Sequence, residues 1–390
     1  MTASPALPTP PAPPADPRLQ TAFTRLTGVR YPIVQTGMGW VSGARLTAAT
    51  AAAGGLGILG SATMTLDELA TAIRSVKERT DAPFGVNLRS DAEDVEDRVG
   101  LMIREGVRVA SFALAPRKDL LLRLRDAGIV TMPSVGARRH AEKVASWGAD
   151  AVLVQGGEGG GHTGAVPTSL LIPQVVDAVG IPVVAAGGYF DGRGLVAALA
   201  YGAAGIGMGT RFLLTADSTV ADNVKAHYLA AGLDGTVVTT RVDGVPHRVL
   251  RTALVDGLTA ASPLTRLPRA VRNAAALRRR TGASWRGLLR EGRALRAHGG
   301  LSWSQVLMSA NTPVLLRASM VEGRDDLGLM TSGQVAGLIE DTPTVADLVE
   351  RIIAEATGVL DRLGGVGQSH AAEALAASGG GAPAEDRLVP

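Results

Sequence analysis

The chain has 390 residues, 46% hydrophobic and 19% charged, with a net charge of +3. Much apolar content at low net charge excludes a disordered chain and allows one large core with additions. Absence of Cys excludes disulfides, thiolate metal sites and Cys nucleophiles, and 3% aromatic residues argue against stacking platforms for single-stranded nucleic acid. No apolar run reaches the roughly 18–20 residues needed to span a bilayer. The opening residues lack the charged start and apolar stretch of a signal peptide. The expectation is a cytoplasmic protein with no membrane or nucleic-acid partner, and with room for a homo-oligomer.

In chain order, residues 1–17 (MTASPALPTPPAPPADP) read as a disordered Pro-rich tail. From residue 30 a strand–helix rhythm sets in. Short β-branched or small apolar runs at 32–35, 57–59, 84–87, 107–112, 129–133, 151–155, 182–186 and 205–208 predict eight strands. Longer amphipathic stretches at 44–53, 65–77, 92–105, 117–127, 137–147, 168–179 and 192–201 predict the helices between them. This is the pattern of an α/β chain, and eight parallel strands fit a (β/α)8 TIM barrel over 18–218. A doubly wound sheet is the alternative, but no G-x-G-x-x-G opens the first helix. Residues 219–365 then predict a mostly helical lid or substrate region, and 366–390 a second disordered tail. Gly333 and Gly337 argue against a continuous helix at that point. Within the lid, residues 264–298 hold ten Arg and one acidic residue, Glu291.

Barrel chemistry sits at the C-terminal strand ends. Gly, Asn, Gln, Ser and His concentrate there. Gly187-Gly188 and Gly209-Thr210 follow the last two strands, where backbone N–H groups can grip a phosphate; the alternative is that these glycines only make tight turns. His162, flanked by Gly160-Gly161 and Thr163-Gly164, has a free backbone and can act as acid, base or carbonyl polariser, or else is a solvated loop His. The other five His have no such setting, and none sits at metal-ligand spacing, so no metal is expected. Asn87 ends a buried strand, where an unpaired amide costs about 1–3 kcal/mol. It therefore faces a polar ligand or a neighbouring loop, and Gln35 and Gln155 invite the same argument. Glu158 is a weaker candidate base, since a Gly-rich loop usually leaves such a carboxylate in solvent.

Taken together, Pro32-Ile33-Val34-Gln35-Thr36-Gly37-Met38-Gly39, Gly85-Val86-Asn87, the Gln155–His162 stretch, the Ala185–Gly192 stretch and Gly209-Thr210-Arg211-Phe212 resemble the nitronate monooxygenase (2-nitropropane dioxygenase-like) family, which includes flavin-dependent enoyl-acyl-carrier-protein reductases. The resemblance implies an FMN-binding barrel. By it, Gln35, Gly37, Met38, Asn87, Ser134, Gln155, Gly161, Gly187, Gly188, Gly209 and Thr210 hold FMN, and His162 is catalytic. Many nitronate-oxidising members carry Lys where this chain has Ser134. Residues 232–241 (GLDGTVVTTR) and 301–308 (LSWSQVLM) look like an actinobacterial branch of flavin oxidoreductases of steroid C/D-ring breakdown, which act on a bicyclic hydroxy-keto acyl-CoA.

Two functions follow as expectations. One is an FMN oxidoreductase working on a C–C or C=C bond beside the thioester of a cyclic acyl-CoA, with NAD(P)H or NAD(P)+ as electron partner. Here Arg278, Arg279, Arg280, Arg286 and Arg290 meet the CoA phosphates, or form a solvated face. The alternative is nitronate monooxygenase chemistry with O2 as acceptor, to which a long cationic segment contributes nothing obvious.

Overall fold

The computed structural model describes residues 16–113, 116–241, 245–260, 312–326 and 328–378. Eight strands close into a parallel barrel: β1 (Ile33–Gln35), β2 (Leu56–Gly60), β3 (Phe84–Leu88), β4 (Val109–Phe112), β5 (Val130–Val135), β6 (Val152–Gln155), β8 (Val183–Ala186) and β9 (Gly205–Met208). The ring closes where β1 pairs with β9, Val34 opposite Gly207. The fold is the expected TIM barrel, and each strand lies within two residues of its sequence-read position. These runs are buried on both faces, which is why they read as continuous apolar stretches rather than as alternation.

Two apolar layers result. Inside the barrel, Val34, Ile58, Val109, Met132, Leu153 and Val184 pack on one another. Helix α1 (Ala22–Thr27) closes the N-terminal end: its Phe23 joins that interior cluster, and Thr21 Oγ1 donates to the Ala204 carbonyl at 2.6 Å. Outside, the apolar sides of α2 (Ala44–Ala52), α3 (Leu66–Lys77), α4 (Val95–Glu105), α5 (Lys118–Asp126), α6 (Arg138–Ser146), α7 (Thr168–Val176) and α8 (Gly192–Ala200) cover the strands. The start of α3 is fixed by a capping box in which Thr65 Oγ1 accepts from Glu68 N–H and Glu68 accepts from Thr65 N–H.

After β9 the chain forms a short helix α9 (Thr210–Leu213) and then α10 (Asp222–Leu229). Two strands absent from the sequence reading follow, β10 (Thr236–Thr239) and β11 (His247–Leu250). They pair antiparallel, and β11 also pairs with the two-residue strand β7 (Gly161–His162) from the loop after β6. Helices α11 (Ala253–Ala260) and α12 (Thr312–Met320) belong to the same region, and Gln334–Leu338 is a 3-10 turn where the glycines argued against an α-helix.

The last described helix, α13 (Val345–Ser378), packs between α8 and α2 and completes the ring around the barrel. Glu355 accepts from the Gly192 N–H at 2.8 Å, while Ile352 and Ala356 are buried in the outer layer. The helix runs past residue 365, where the sequence reading starts a disordered tail; the Ala-rich composition of this stretch is strongly helix-forming. Residues 1–15, most of the expected first tail, and Arg278, Arg279, Arg280, Arg286 and Arg290 lie outside the described residues. Among the described residues, no helix is long and apolar enough to cross a membrane.

One ion pair ties the segment before α13 to the barrel. Buried Arg211 donates to Asp341 Oδ1 at 2.9 Å and to the Leu214 and Asp341 carbonyls, and Arg351 donates to Asp341 Oδ2 at 2.7 Å. Arg351, and after it Arg211, hold the Asp341 carboxyl below its ordinary value. A depressed carboxylate stabilises the fold above its unfolded pKa and loses that contribution as pH falls through the folded value. Asp341→Asn should therefore cost about 1–3 kcal/mol at neutral pH, because Arg211 loses its charged partner. In urea unfolding, the gap between parent and variant should close below about pH 4.

Candidate active site

The C-terminal strand ends form a ring of contacts. Gly37 faces Asn87 so closely that a Cβ there would lie 2.4 Å from the Asn87 Cβ. Asn87 Nδ2 donates to Ser111 Oγ at 3.2 Å, and its carbonyl accepts from Ser61 Oγ. On the other side, a Cβ on Gly209 would meet Met38 Sδ and Thr36 Oγ1, both at 3.3 Å. Half-buried Ser134 lies on β5 opposite Leu153 of β6. Gln35 stands apart from this ring. It is fully buried, and its Nε2 donates to the Thr36 carbonyl, Ser42 Oγ and the Ile58 carbonyl. The amide that sequence reasoning aimed at a ligand or a loop is bonded to the neighbouring backbone and Ser42, and shapes the turn after β1.

The glycine-rich loop after β6 is not the unencumbered segment that its composition predicts. Gly161 pairs with Arg248 and His162 with His247, and Thr163 N–H donates to the Pro246 carbonyl at 3.1 Å. Gln155 Nε2 donates to the His162 carbonyl at 2.9 Å and to the Gly160 carbonyl at 3.3 Å. Arg248 Nη2 donates to the Gly157 carbonyl at 2.9 Å. His162 nevertheless exposes its imidazole at the barrel mouth.

Glu158 is not left to solvent either. Both carboxylate oxygens accept from Thr168 N–H, at 3.2 and 2.9 Å, and Thr168 Oγ1 lies 2.6 Å from Glu158 Oε2 and 3.1 Å from the Gly187 carbonyl. This ties the loops after β6 and β8 together and satisfies the first turn of α7. It removes Glu158 from the candidate bases.

A third segment closes the ring. Gly333 N–H donates to Thr210 Oγ1 and Gln334 N–H to the Glu158 carbonyl, both at 2.9 Å. Thr331 bridges Val249, so residues 330–332 continue along the edge of β11 that β7 also uses. Gly160 approaches this segment too closely for a side chain, since its Cβ would lie 2.5 Å from Gly333 N.

Gly187 and Gly188 have φ of 102° and 82°, values that a side chain strains. Gly188 is exposed, and among the described residues neither its N–H nor that of Gly209 has a hydrogen-bond acceptor. Donors left open beside bare Cα atoms can take a phosphate, so this corner fits a mononucleotide phosphate. Tyr189, next along, is buried, and burial pushes its phenol well above the ordinary value. Arg248 is pushed down by burial, with Glu158 opposing.

Sequence reasoning missed Thr168, His247, Arg248 and residues 332–334. The hairpin of β10 and β11 had a signal: Asp243-Gly244 stands between a Val- and Thr-rich run at 236–240 and a second short run ending in Val249-Leu250. His247, grouped with the His that lack a site setting, is instead buried with its ring centroid 4.7 Å from that of His162. Nothing local in the sequence couples the two.

The Nitronate monooxygenase family profile matches residues 20–355. The chain belongs to the nitronate monooxygenase family. It is an oxidoreductase, and its relatives are named as such. A Mycobacterium tuberculosis protein named (3aS,4S,5R,7aS)-5-hydroxy-7a-methyl-1-oxo-octahydro-1H-indene-4-carboxyl-CoA dehydrogenase is 64% identical over 342 residues, covering 87% of this chain and 96% of that one. A Rhodococcus jostii protein of the same name is 59% identical, over 89% of this chain and 98% of that one. A probable nitronate monooxygenase of Staphylococcus saprophyticus is 33% identical, over 59% and 78%. Among solved structures, FabK from Thermotoga maritima superposes with a TM-score of 0.72 at 34% identity, covering 89% of this chain and 99% of that chain.

Gly160→Ala should displace the 331–334 segment and destabilise the fold by about 1–3 kcal/mol, as overpacking against backbone does. Urea unfolding measures this, with Gly164→Ala as the control, since a Cβ there meets nothing closer than 3.8 Å.

Proposed function

We propose that this protein is an FMN-dependent oxidoreductase acting on a C–C or C=C bond beside the thioester carbonyl of a cyclic acyl-CoA of steroid-ring type, with NAD(P) as electron partner. One observation carries the reading: the 64% identity to the M. tuberculosis CoA dehydrogenase runs over 342 residues. That is more than the barrel contains, so the likeness takes in much of the region that builds over the mouth.

Gly188 and Gly209 would hold the FMN phosphate through their N–H groups, with Gly187 allowing the turn and Thr210 at its edge. Gly37, Met38, Asn87, Ser134 and Gly161 would line the remainder. Gln35 and Gln155 support the site from behind, through the turn after β1 and the His162 loop. Bound FMN supplies two-electron chemistry at the thioester β-carbon, and NAD(P) is the partner with which those electrons are exchanged. His162 takes or returns the α-proton through a ring nitrogen, or donates to the thioester oxygen. Gln155 holds the backbone from which that ring projects. The Arg-rich stretch 266–296 supplies cations for the CoA phosphates.

The purified protein should carry FMN. Gly188→Asp should release it, because a carboxylate would occupy the phosphate corner, and absorbance near 450 nm with filtration reads the loss. The deciding experiment follows flavin bleaching and reoxidation anaerobically with NADH, NADPH, propane-2-nitronate, and cyclohexanecarboxyl-CoA and its 1-ene as probes. Rapid response to an acyl-CoA and a nicotinamide supports the proposal; response to the nitronate alone replaces it with nitronate oxidation.

His162→Ala should retain flavin while slowing acyl-CoA turnover by about 10²–10⁴. Replacing Arg278 and Arg279 by Gln should raise the acyl-CoA KM about tenfold with kcat little changed, since a remote contact binds substrate and transition state alike. Nitronate kinetics should not respond to this pair.

A further inference from the structure

We infer that His247 is a positioning residue for His162: its buried ring packs on the His162 ring and fixes the direction in which that imidazole enters the barrel mouth. The inference extends the proposed role of His162 and rests on that reading for its kinetic consequence, though not for its structural one.

Cross-strand register makes the contact. His162 and His247 are directly opposed in the antiparallel pairing of β7 and β11. Thr163 N–H donates to the Pro246 carbonyl, so Thr163 and Pro246 occupy a hydrogen-bonded position. In an antiparallel ladder such positions alternate with non-hydrogen-bonded ones, and His162–His247 is therefore of the second kind. There the Cα atoms approach to about 4.5 Å and the side chains are closest. Both rings leave the same face of the sheet, and their centroids are 4.7 Å apart at an interplanar angle of 54°.

The two rings are not equivalent. His247 is 3% exposed, whereas His162 is exposed. A buried ring held by packing has one orientation, and an exposed ring takes its rotamer from what it packs against, here the buried ring of His247. His247 is itself anchored, because β11 pairs with β10 over four residues and with Thr331 through Val249. Gln155 fixes the backbone carbonyl of His162, and His247 fixes the ring. Misplacing a catalytic group by about 1 Å can cost about 10² in rate.

The inference is about ring contact, so it separates three replacements. His247→Phe keeps a ring against His162; His247→Gln keeps polar atoms without a ring; His247→Ala keeps neither. With ¹³C-labelled histidine, the His162 ring resonances, assigned by their loss in His162→Ala, should show one side-chain rotamer in the parent and in His247→Phe. They should show rotamer averaging in His247→Ala and His247→Gln. With cyclohexanecarboxyl-CoA as probe, His247→Ala should lower kcat about 10–100-fold with KM within threefold, and Phe should restore it to within a few-fold. In a His162→Ala background the same replacement should cost less than twofold.

An ordered His162 ring in folded His247→Ala, or rescue by Gln and not by Phe, overturns the inference. So does an equal kinetic cost of His247→Ala in both backgrounds. If His162→Ala itself leaves turnover intact, the proposed role of His162 fails, while the rotamer measurement still decides the positioning claim. Should His247→Ala not fold, Phe and Gln, which both fill the site, carry the comparison.

Discussion

Antiparallel pairing between β7 and β11 is the interaction on which the mouth of this barrel depends. Only two residues, Gly161 and His162, form β7, yet they join the loop after β6 to a strand more than 80 positions later. Without that pairing, a loop containing Gly156, Gly157, Gly159, Gly160 and Gly161 has many backbone states, and ordering each residue costs about 1–2 kcal/mol. The pairing selects one of them. It also makes the small sheet part of the site: β10 braces one edge of β11, and residues 330–332 extend along the other edge beside β7. The region after the barrel therefore shapes the mouth from which His162 projects.

The barrel was legible because its strands are buried on both faces and their turns are glycine-rich. Val183–Ala186 and Gly205–Met208 have nothing but small or apolar residues, so each reads as a strand without help from periodicity. The glycine turn proposed to hold a phosphate was legible for a related reason: Gly187 and Gly188 directly follow a buried run. β7 was not, since two residues carry no period. His247 was not, because its partner is set by tertiary pairing and the intervening sequence gives no hint of register. Glu158 was misread because composition places a carboxylate in a glycine loop in water. Thr168, at the start of α7, offers it two donors that the loop alone does not contain.

Gln35, Asn87 and Gln155 illustrate how one argument divides in three. Gln35 and Gln155 end buried strands at the mouth and Asn87 is next to last in one, and an unpaired amide there is costly. Gln35 is satisfied by Thr36, Ser42 and Ile58, so its contribution is the shape of the turn that carries Met38. Gln155 is satisfied by carbonyls of the loop it holds, so its contribution is the placement of His162. Asn87 donates to Ser111 and packs against Gly37, which keeps it on the ring itself. A buried amide near a strand end must be answered; which group answers it depends on contacts that only the folded ring supplies.

Electrostatics narrows the chemistry that remains. Arg248 is half-buried, its Nε lacks a hydrogen-bond partner among the described residues, and its other nitrogens donate to Thr236 and the Gly157 carbonyl. Burial disfavours its charge and nearby Glu158 offsets that cost. Glu158 in turn is held by Thr168 and cannot swing toward a substrate without exposing the first turn of α7 and leaving Arg248 uncompensated. The carboxylate and the guanidinium thus belong to the frame. Tyr189 is excluded as a base by burial, which keeps its phenol protonated far above neutral pH. On the proposed reading proton transfer falls to imidazole, and of the two rings in contact there among the described residues His162 is the exposed one. The division of labour between a buried ring and an exposed one follows from a single register of two antiparallel strands.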